Sequence, residues 1–289
     1  MVLMGVMFCV AVSLTACGNR NEQSAVADQY EPDSTFAAID SLAVFMVQDI
    51  VNIDTPEDFV SRYESQSDAI KSYWMLNHEG EDENTMKETV VNELKTLAGK
   101  LSEGSTMDMM LSGELTCAIA QYLTAQDYCK SYSNNPLYQA EMRDWILLEK
   151  EFGQFYGNVA NLANWGGTIS NVIAGHSLSF LADARQADYS QLKKDGNFAD
   201  SEGMNVAEAR ANLIQELADA KSLEDNLSAG EDYKKALNDM RERADKIVVL
   251  LDKWLASREE LCKAESIPDN HTARLVAQLG NHIMELIEG

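Results

Sequence analysis

Residues 237–261 read LNDMRERADKIVVLLDKWLASREEL, and this stretch is the strongest indication of the fold class. Apolar residues recur along it at alternating spacings of three and four, which places them on one face of a helix. That face consists of Leu237, Met240, Ala244, Ile247, Leu251, Trp254 and Leu261, with Arg258 as its charged member. Because a long helix with one apolar face must bury that face against other helices, the stretch predicts a helical bundle.

The same spacing recurs in two further stretches, residues 111–132 and 138–163. Only 4 prolines occur in the chain, and no run alternates apolar and polar residues as a half-buried strand would. Helix start and stop signals divide the rest of the chain. They predict helices at 34–52, 55–77, 83–103, 106–133, 136–164, 168–194, 205–222, 230–265 and 268–288. We therefore expect an all-α fold, a multi-helix bundle with long antiparallel helices.

Two charged residues interrupt the apolar faces at matching places. Glu149 lies four residues after Trp145, and Arg258 lies four residues after Trp254. A charge buried alone costs several kcal/mol, so each of these side chains needs a partner. The matched spacing suggests a buried ion pair between Glu149 and Arg258. The alternative is that each helix rotates slightly and each charged group reaches water.

The composition is strongly acidic and narrows the possible partners. Asp and Glu number 47 against 23 Lys and Arg, for a formal net charge of −24. A nucleic-acid partner is excluded, because phosphate requires a basic face. Attachment to anionic lipid by charge alone is excluded for the same reason. A small basic protein would instead be attracted.

The N-terminus is typical of an export signal. Residues 1–16 carry no charged side chain, and residues 14–17 read LTAC, which resembles a bacterial lipobox. The resemblance implies cleavage after residue 16, acylation of Cys17 and membrane attachment through the acyl chains. The alternative is an ordinary secretory signal. We expect a lipoprotein of the cell envelope, on the periplasmic or cell-surface side.

The domain organisation follows from these boundaries. A signal peptide at 1–16 precedes the acylated cysteine and a flexible tether at 17–33. A helical bundle is predicted at 34–200. A C-terminal helical segment at 201–289 is expected to pack with the preceding bundle.

One segment carries a family resemblance. Residues 254–262 read WLASREELC and follow the skeleton W-L-x-x-R-[DE]-x-x-C, with Tyr233 upstream on the same helix. This pattern resembles the N-terminal domain of the lysozyme-inhibitor LprI family, small helical domains of exported bacterial lipoproteins. The resemblance covers about 225–265 and marks Tyr233, Trp254, Arg258 and Cys262 as structural residues. It implies binding of a basic protein such as lysozyme.

The resemblance also implies a disulfide. In that family the last cysteine of the motif bonds to an earlier one, so Cys262 would bond to Cys117 or Cys129. Cys129 lies on an inward helix face, which favours the pair Cys129–Cys262. The alternative is three reduced thiols that pack as small apolar groups.

The sequence contains no motif that identifies a reaction. It lacks H-E-x-x-H, C-x-x-C, G-x-S-x-G and the phosphate-binding glycine motifs, so we expect no metal, no cofactor and no catalytic residue. The favoured function is a lipid-anchored helical binding protein of the envelope. The alternative is a structural or accessory subunit of an envelope complex.

Overall fold

Nine α-helices make up the regular structure that the computed structural model describes. The described residues are 36–48, 50, 53–163, 168–192, 205–223 and 230–288. Within these ranges no strand occurs, and the all-α prediction is confirmed. The helices are α1 (Phe36–Val47), α2 (Pro56–Asn77), α3 (Met86–Leu101), α4 (Thr106–Ser131), α5 (Pro136–Ala163), α6 (Thr168–Leu192), α7 (Val206–Lys221), α8 (Glu231–Glu265) and α9 (Asp269–Glu288).

Side-chain caps set several of the helix starts. Thr55 accepts a hydrogen bond from the Asp58 amide at 3.1 Å, which fixes the start of α2 beside Pro56. Ser105 and Asp108 cap α4 reciprocally in a capping box. The predicted helix at 83–103 begins later than expected, because residues 83–85 form a short 3₁₀ turn before α3.

Helices from all parts of the described chain belong to one unit, Pro32–Gly289, which contains two large cores. Helices α1 to α4 enclose the first, whose buried residues include Met46, Ile70, Trp74, Val90, Leu94, Leu115 and Tyr122. Helices α5 to α9 enclose the second, whose buried residues include Trp145, Phe152, Tyr156, Leu213, Ile247, Leu251, Trp254, Val276 and Ile283. The second core therefore draws on residues from both sides of position 200.

Helices α5 and α8 pack antiparallel along their length. The rings of Trp145 and Trp254 meet edge-to-face with centroids 5.2 Å apart. The residues directly before the two tryptophans also meet, since Lys253 Nζ lies 2.9 Å from Asp144 Oδ1 at the edge of the interface. The face of α8 predicted from spacing is buried as expected, Arg258 included.

Helices α4 and α6 run parallel and connect the two cores. Gly113 faces Gly175 near the helix starts, where a Cβ on Gly113 would lie only 2.8 Å from the carbonyl carbon of Gly175. Tyr132, just past the end of α4, meets Tyr189 edge-on with ring centroids 5.8 Å apart. The absence of a side chain at Gly113 thus permits the close approach.

Candidate functional site

The motif residues of α8 lie inside the molecule. Trp254 and Arg258 have 0% exposed surface, and Cys262 has 4%. Tyr233 is half-buried and packs against the second core. Four-residue spacing places Trp254, Arg258 and Cys262 on the same face of the helix. The motif therefore stabilises the fold and does not form a surface that a partner could contact.

Arg258 is paired with two carboxylates from other helices. Its Nη2 donates to Asp188 Oδ1 on α6 at 2.6 Å, and its Nη1 lies 3.3 Å from Glu141 Oε1 on α5. Its Nε lies 3.4 Å from Thr272 Oγ1 on α9. Every nitrogen of this buried guanidinium therefore has an oxygen partner.

A second arginine binds the same two carboxylates. Arg185 donates to both oxygens of Glu141, at 2.9 and 2.5 Å, and to Asp188 Oδ2 at 3.0 Å. Its guanidinium carbon lies 4.7 Å from the centre of the Trp145 ring and 4.4 Å from that of Tyr189. The aromatic faces favour the cation that they cover.

Two more groups complete the arrangement. Trp254 Nε1 donates to Glu141 Oε1 at 2.8 Å, and His271 Nδ1 lies 2.9 Å from Asp188 Oδ1. We call Glu141, Arg185, Asp188 and Arg258 the buried charge cluster. Its two cations and two anions balance, and its members come from α5, α6 and α8, with His271 adding α9.

The charges of the cluster stabilise one another. Burial alone would raise the pKa of Asp188, but Arg258, His271 and Arg185 outweigh it and hold that pKa well below its usual range. Burial likewise opposes the charge of Arg258, whereas Asp188 and Glu141 raise its pKa above the usual value. Asp188 and Arg258 therefore stay ionised at neutral pH. Because its atoms are closed off from solvent, it can join helices but presents no reactive group to a substrate.

The predicted ion pair between Glu149 and Arg258 is wrong. Glu149 accepts from Trp145 Nε1 at 2.8 Å and lies 3.4 Å from Gln121 Nε2. The reason is the antiparallel packing of α5 and α8. Since Trp145 faces Trp254, the residue four positions after Trp254 meets the residue four positions before Trp145, which is Glu141.

Glu149 itself is a buried carboxyl without an ion pair in the described part of the chain. Burial raises its pKa, and the hydrogen bonds from Gln121 and Trp145 oppose that rise. Its neutral form is thus favoured more than that of an exposed glutamate.

The predicted disulfide between Cys129 and Cys262 is also wrong. Cys117, Cys129 and Cys262 are all free thiols. Cys129 and Cys262 contact the same apolar cluster, but the Cys262 sulfur lies 3.7 Å from Thr272 Oγ1 instead of bonding to a second sulfur. The alternative of three reduced thiols packed as small apolar groups describes the structure.

The described ranges contain no group of three or more His, Cys, Asp or Glu side chains that could hold a metal ion. No helix in them has an apolar stretch that could span a membrane. The predicted lipidation site, Cys17, lies outside the described residues, as does the predicted signal peptide at 1–16.

The surface carries two features that matter for binding. The first is the turn between α2 and α3, where exposed carboxylates follow two exposed apolar side chains. We call it the acidic corner; its members are Met75, Leu76, Glu79, Glu81, Asp82, Glu83 and Glu88. The second is a cleft of about 330 Å³ between α3, α4 and α6.

Sequence reasoning missed three members of the buried charge cluster, and part of the signal was present. Glu141 lies one helical turn before Trp145, on the same face as the inward-pointing Trp. Arg185 and Asp188 lie three residues apart beside Leu181 and Tyr189 on α6. In a chain with so many charged residues, the buried and paired ones can be told from the exposed ones only when the facing helix is known.

No family model, no curated protein and no solved structure matches this chain.

Proposed function

We propose that this chain is a lipid-anchored binding protein of the bacterial cell envelope, whose partner is a basic protein such as a lysozyme. Its acyl chains on Cys17 would hold it to a membrane, with the tether at 17–33 leading to the helical body. The protein acts by binding, without catalysis and without a cofactor. The LprI-like segment supports the lysozyme-binding part of this proposal.

The acidic corner is the observation that carries the proposal. Met75 and Leu76, whose exposed fractions are 68% and 83%, are followed within thirteen residues of the sequence by five exposed carboxylates, which a basic partner would attract. Apolar side chains at the centre of a charged surface are what a protein interface needs for affinity, while the charges accelerate association. Charge across the whole chain, at −24, adds long-range attraction.

The position of the corner suits this role. Four of its carboxylates lie in the short connection between α2 and α3, and the fifth, Glu88, lies in the first turn of α3. The inner faces of both helices belong to the first core. Asp82 accepts a hydrogen bond from the Asn84 amide at 3.0 Å, and His78 Nδ1 lies 3.2 Å from Glu81 Oε1. The turn is thereby ordered before a partner arrives, which lowers the entropy cost of binding.

The motif of α8 contributes indirectly. Because Trp254 and Arg258 are fully buried, any lysozyme-binding surface must be formed by other residues. The shared pattern thus supports a common scaffold, and the binding specificity rests on exposed side chains.

The test is a titration of the full chain in detergent micelles with a basic lysozyme, at low and at physiological salt, with lysozyme activity followed in parallel. A corner variant carries Glu79→Gln, Glu81→Gln, Glu83→Gln and Glu88→Gln. A matched control removes the same number of exposed charges at scattered positions, with Glu64→Gln, Glu103→Gln, Glu242→Gln and Glu260→Gln. We expect saturable binding at physiological salt, weakened at least about tenfold in the corner variant and much less in the control.

Two results would count against the proposal. Binding that disappears at physiological salt would show only general attraction between opposite charges. Equal weakening by the two variants would show that net charge, and not the corner, is responsible. Binding without loss of lysozyme activity would support a binding role and refute inhibition.

An accessory role in an envelope complex is the second candidate. Beyond the corner, Met107 on α4 and Val249 on α8 are exposed by 70% and 68%. Exposed apolar side chains favour contact with other proteins when they are grouped. Photo-cross-linking in intact cells from a photoreactive amino acid placed at position 249, if it repeatedly captures one envelope protein, would favour this role over lysozyme binding.

A further inference from the structure

The cleft between α3, α4 and α6 is separate from the buried charge cluster and from the acidic corner. Its volume is about 330 Å³. Sites for small molecules typically enclose about 300–1,000 Å³, so this cleft lies at the lower end of that range. A ligand of the size of an amino acid or a dipeptide fits such a volume.

Small side chains leave this space open. Ala98 and Gly99 line it from α3, and Ala120 and Ile119 line it from α4. A Cβ built on Gly99 would have no atom within 4 Å, so the cleft is open there. The rest of the uncharged lining is mostly polar and consists of Ser102, Ser112, Thr116, Leu123, His176 and Gln186.

Two opposite charges line the cleft without meeting. Lys95 belongs to α3 and Asp183 to α6. In the described part of the chain neither side chain forms a salt bridge or a hydrogen bond, although other surface charges do, such as Arg210 with Asp252 at 2.6 Å. Burial raises the pKa of Asp183, and the positive charge of Lys95 opposes that rise, so the two groups interact across the cleft.

We propose that the cleft binds a small zwitterion with an apolar side group, either a free apolar amino acid or a short apolar peptide. The ligand carboxylate pairs with Lys95 and its ammonium pairs with Asp183. The apolar group packs on Ile119 and the neighbouring alanines. This site is independent of the proposed binding of a basic protein, since it uses other residues.

The arrangement explains why a zwitterion fits better than a single ion. An anion would pair with Lys95 but would be repelled by Asp183. A cation would pair with Asp183 but would be repelled by Lys95. Only a ligand with both charges uses both groups, and each charge-assisted hydrogen bond adds affinity. The two side chains form no salt bridge with each other in the described part of the chain, so each is available to a ligand in the cleft they line.

The first experiment is calorimetric titration of the full chain in detergent micelles with L-leucine and, separately, with alanyl-leucine. These two probes distinguish a free amino acid from a peptide as the source of the zwitterion. The Gly99→Leu variant adds bulk to the cleft at a position where a Cβ meets no atom within 4 Å, and it replaces a helical glycine, so it should fold at least as well as the parent. Gly157→Leu is the matched control, because it also adds a side chain to open space on a helix, away from the cleft.

The second experiment tests the two charges separately. Lys95→Gln should weaken binding of L-leucine by about tenfold or more, and so should Asp183→Asn. Leucinamide lacks the carboxylate, so its binding should be weak and insensitive to Lys95→Gln. N-acetylleucine lacks the ammonium, so its binding should be insensitive to Asp183→Asn.

The outcomes decide the proposal. Saturable binding of either probe by the parent chain and by Gly157→Leu, with loss in Gly99→Leu, supports it. Absence of saturable binding of both probes up to about 10 mM refutes it. Binding that survives Gly99→Leu, or that ignores both charge variants, also refutes it. None of these results bears on lysozyme binding, so the two proposals can fail independently.

Discussion

Replacing Arg258 by methionine should destabilise the protein severely. Methionine keeps much of the side-chain volume but removes one cation from a cluster of two cations and two anions. Glu141 and Asp188 keep Arg185 as their remaining arginine partner, and one buried negative charge is left uncompensated. Breaking a buried pair in this way costs about 3–5 kcal/mol.

That loss is a large part of the total stability, which for most proteins lies at about 5–15 kcal/mol. For a domain of this size it corresponds to a fall in Tm of roughly 6–20 °C. The assay is urea and thermal unfolding followed by circular dichroism. The matched control is Arg210→Met, since Arg210 is half-exposed and its Nε lies 2.6 Å from Asp252 Oδ1. Such a surface pair contributes about 0–1 kcal/mol to the free energy of unfolding, so this variant should lose little stability.

The double variant Arg258→Met with Glu141→Gln tests the electrostatic reasoning directly. It restores the balance to one cation and one anion, so it should be more stable than Arg258→Met alone. If the second substitution instead adds a further loss, packing and not charge explains the cost. An Arg258→Met variant with the same Tm as the parent would refute the role of the cluster altogether.

Acid unfolding supplies an independent measure. The pKa of Asp188 is lowered in the folded state, so its contribution is fully present above its unfolded pKa and is lost as the pH falls through the folded value. Removing Arg258 takes away the first of the charges that lower this pKa. The destabilisation of Arg258→Met relative to the parent should therefore be largest at neutral pH and should shrink as the pH falls, because protonation relieves the uncompensated carboxylate.

Three further predictions concern other buried positions. Because the pKa of Glu149 is raised in the folded state, the parent chain loses stability as the pH rises from the unfolded to the folded pKa value. Glu149→Gln should remove that loss. Its urea midpoint should therefore be higher than that of the parent at pH 8 but not at acidic pH. Gly113→Ala should destabilise the protein by about 1–3 kcal/mol, because the added Cβ would lie 2.8 Å from the backbone of Gly175. Gly157→Ala, whose Cβ would lie in open space, should stabilise the protein by up to about 1 kcal/mol. Equal urea midpoints for the two variants would refute the close helix contact. Among the three described thiols, Cys129 should be alkylated first, because the other two are buried. A reductant should leave the Tm unchanged, because these three cysteines are free thiols. The prediction is contradicted if mass spectrometry finds the first label on Cys117 or Cys262.

Local signals in the sequence were sufficient for the secondary structure. Thr55 and Pro56 start α2 as predicted, because a cap and a proline act within one helical turn. The buried face of α8 was predicted residue by residue, because helical spacing alone determines which side chains share a face. The all-α class follows from such local rules applied along the chain.

The contacts between side chains of different helices depend on how the helices pack. Spacing within α8 shows that Arg258 points inward, but its partner depends on the direction and offset of the helix opposite. The antiparallel alignment set by Trp145 against Trp254 selects Glu141, and α6 adds Asp188. The free thiol of Cys262 and the cleft beside Lys95 also result from how the helices pack. Contacts between distant segments depend on how whole helices dock, and that information is absent from the pattern of any single helix.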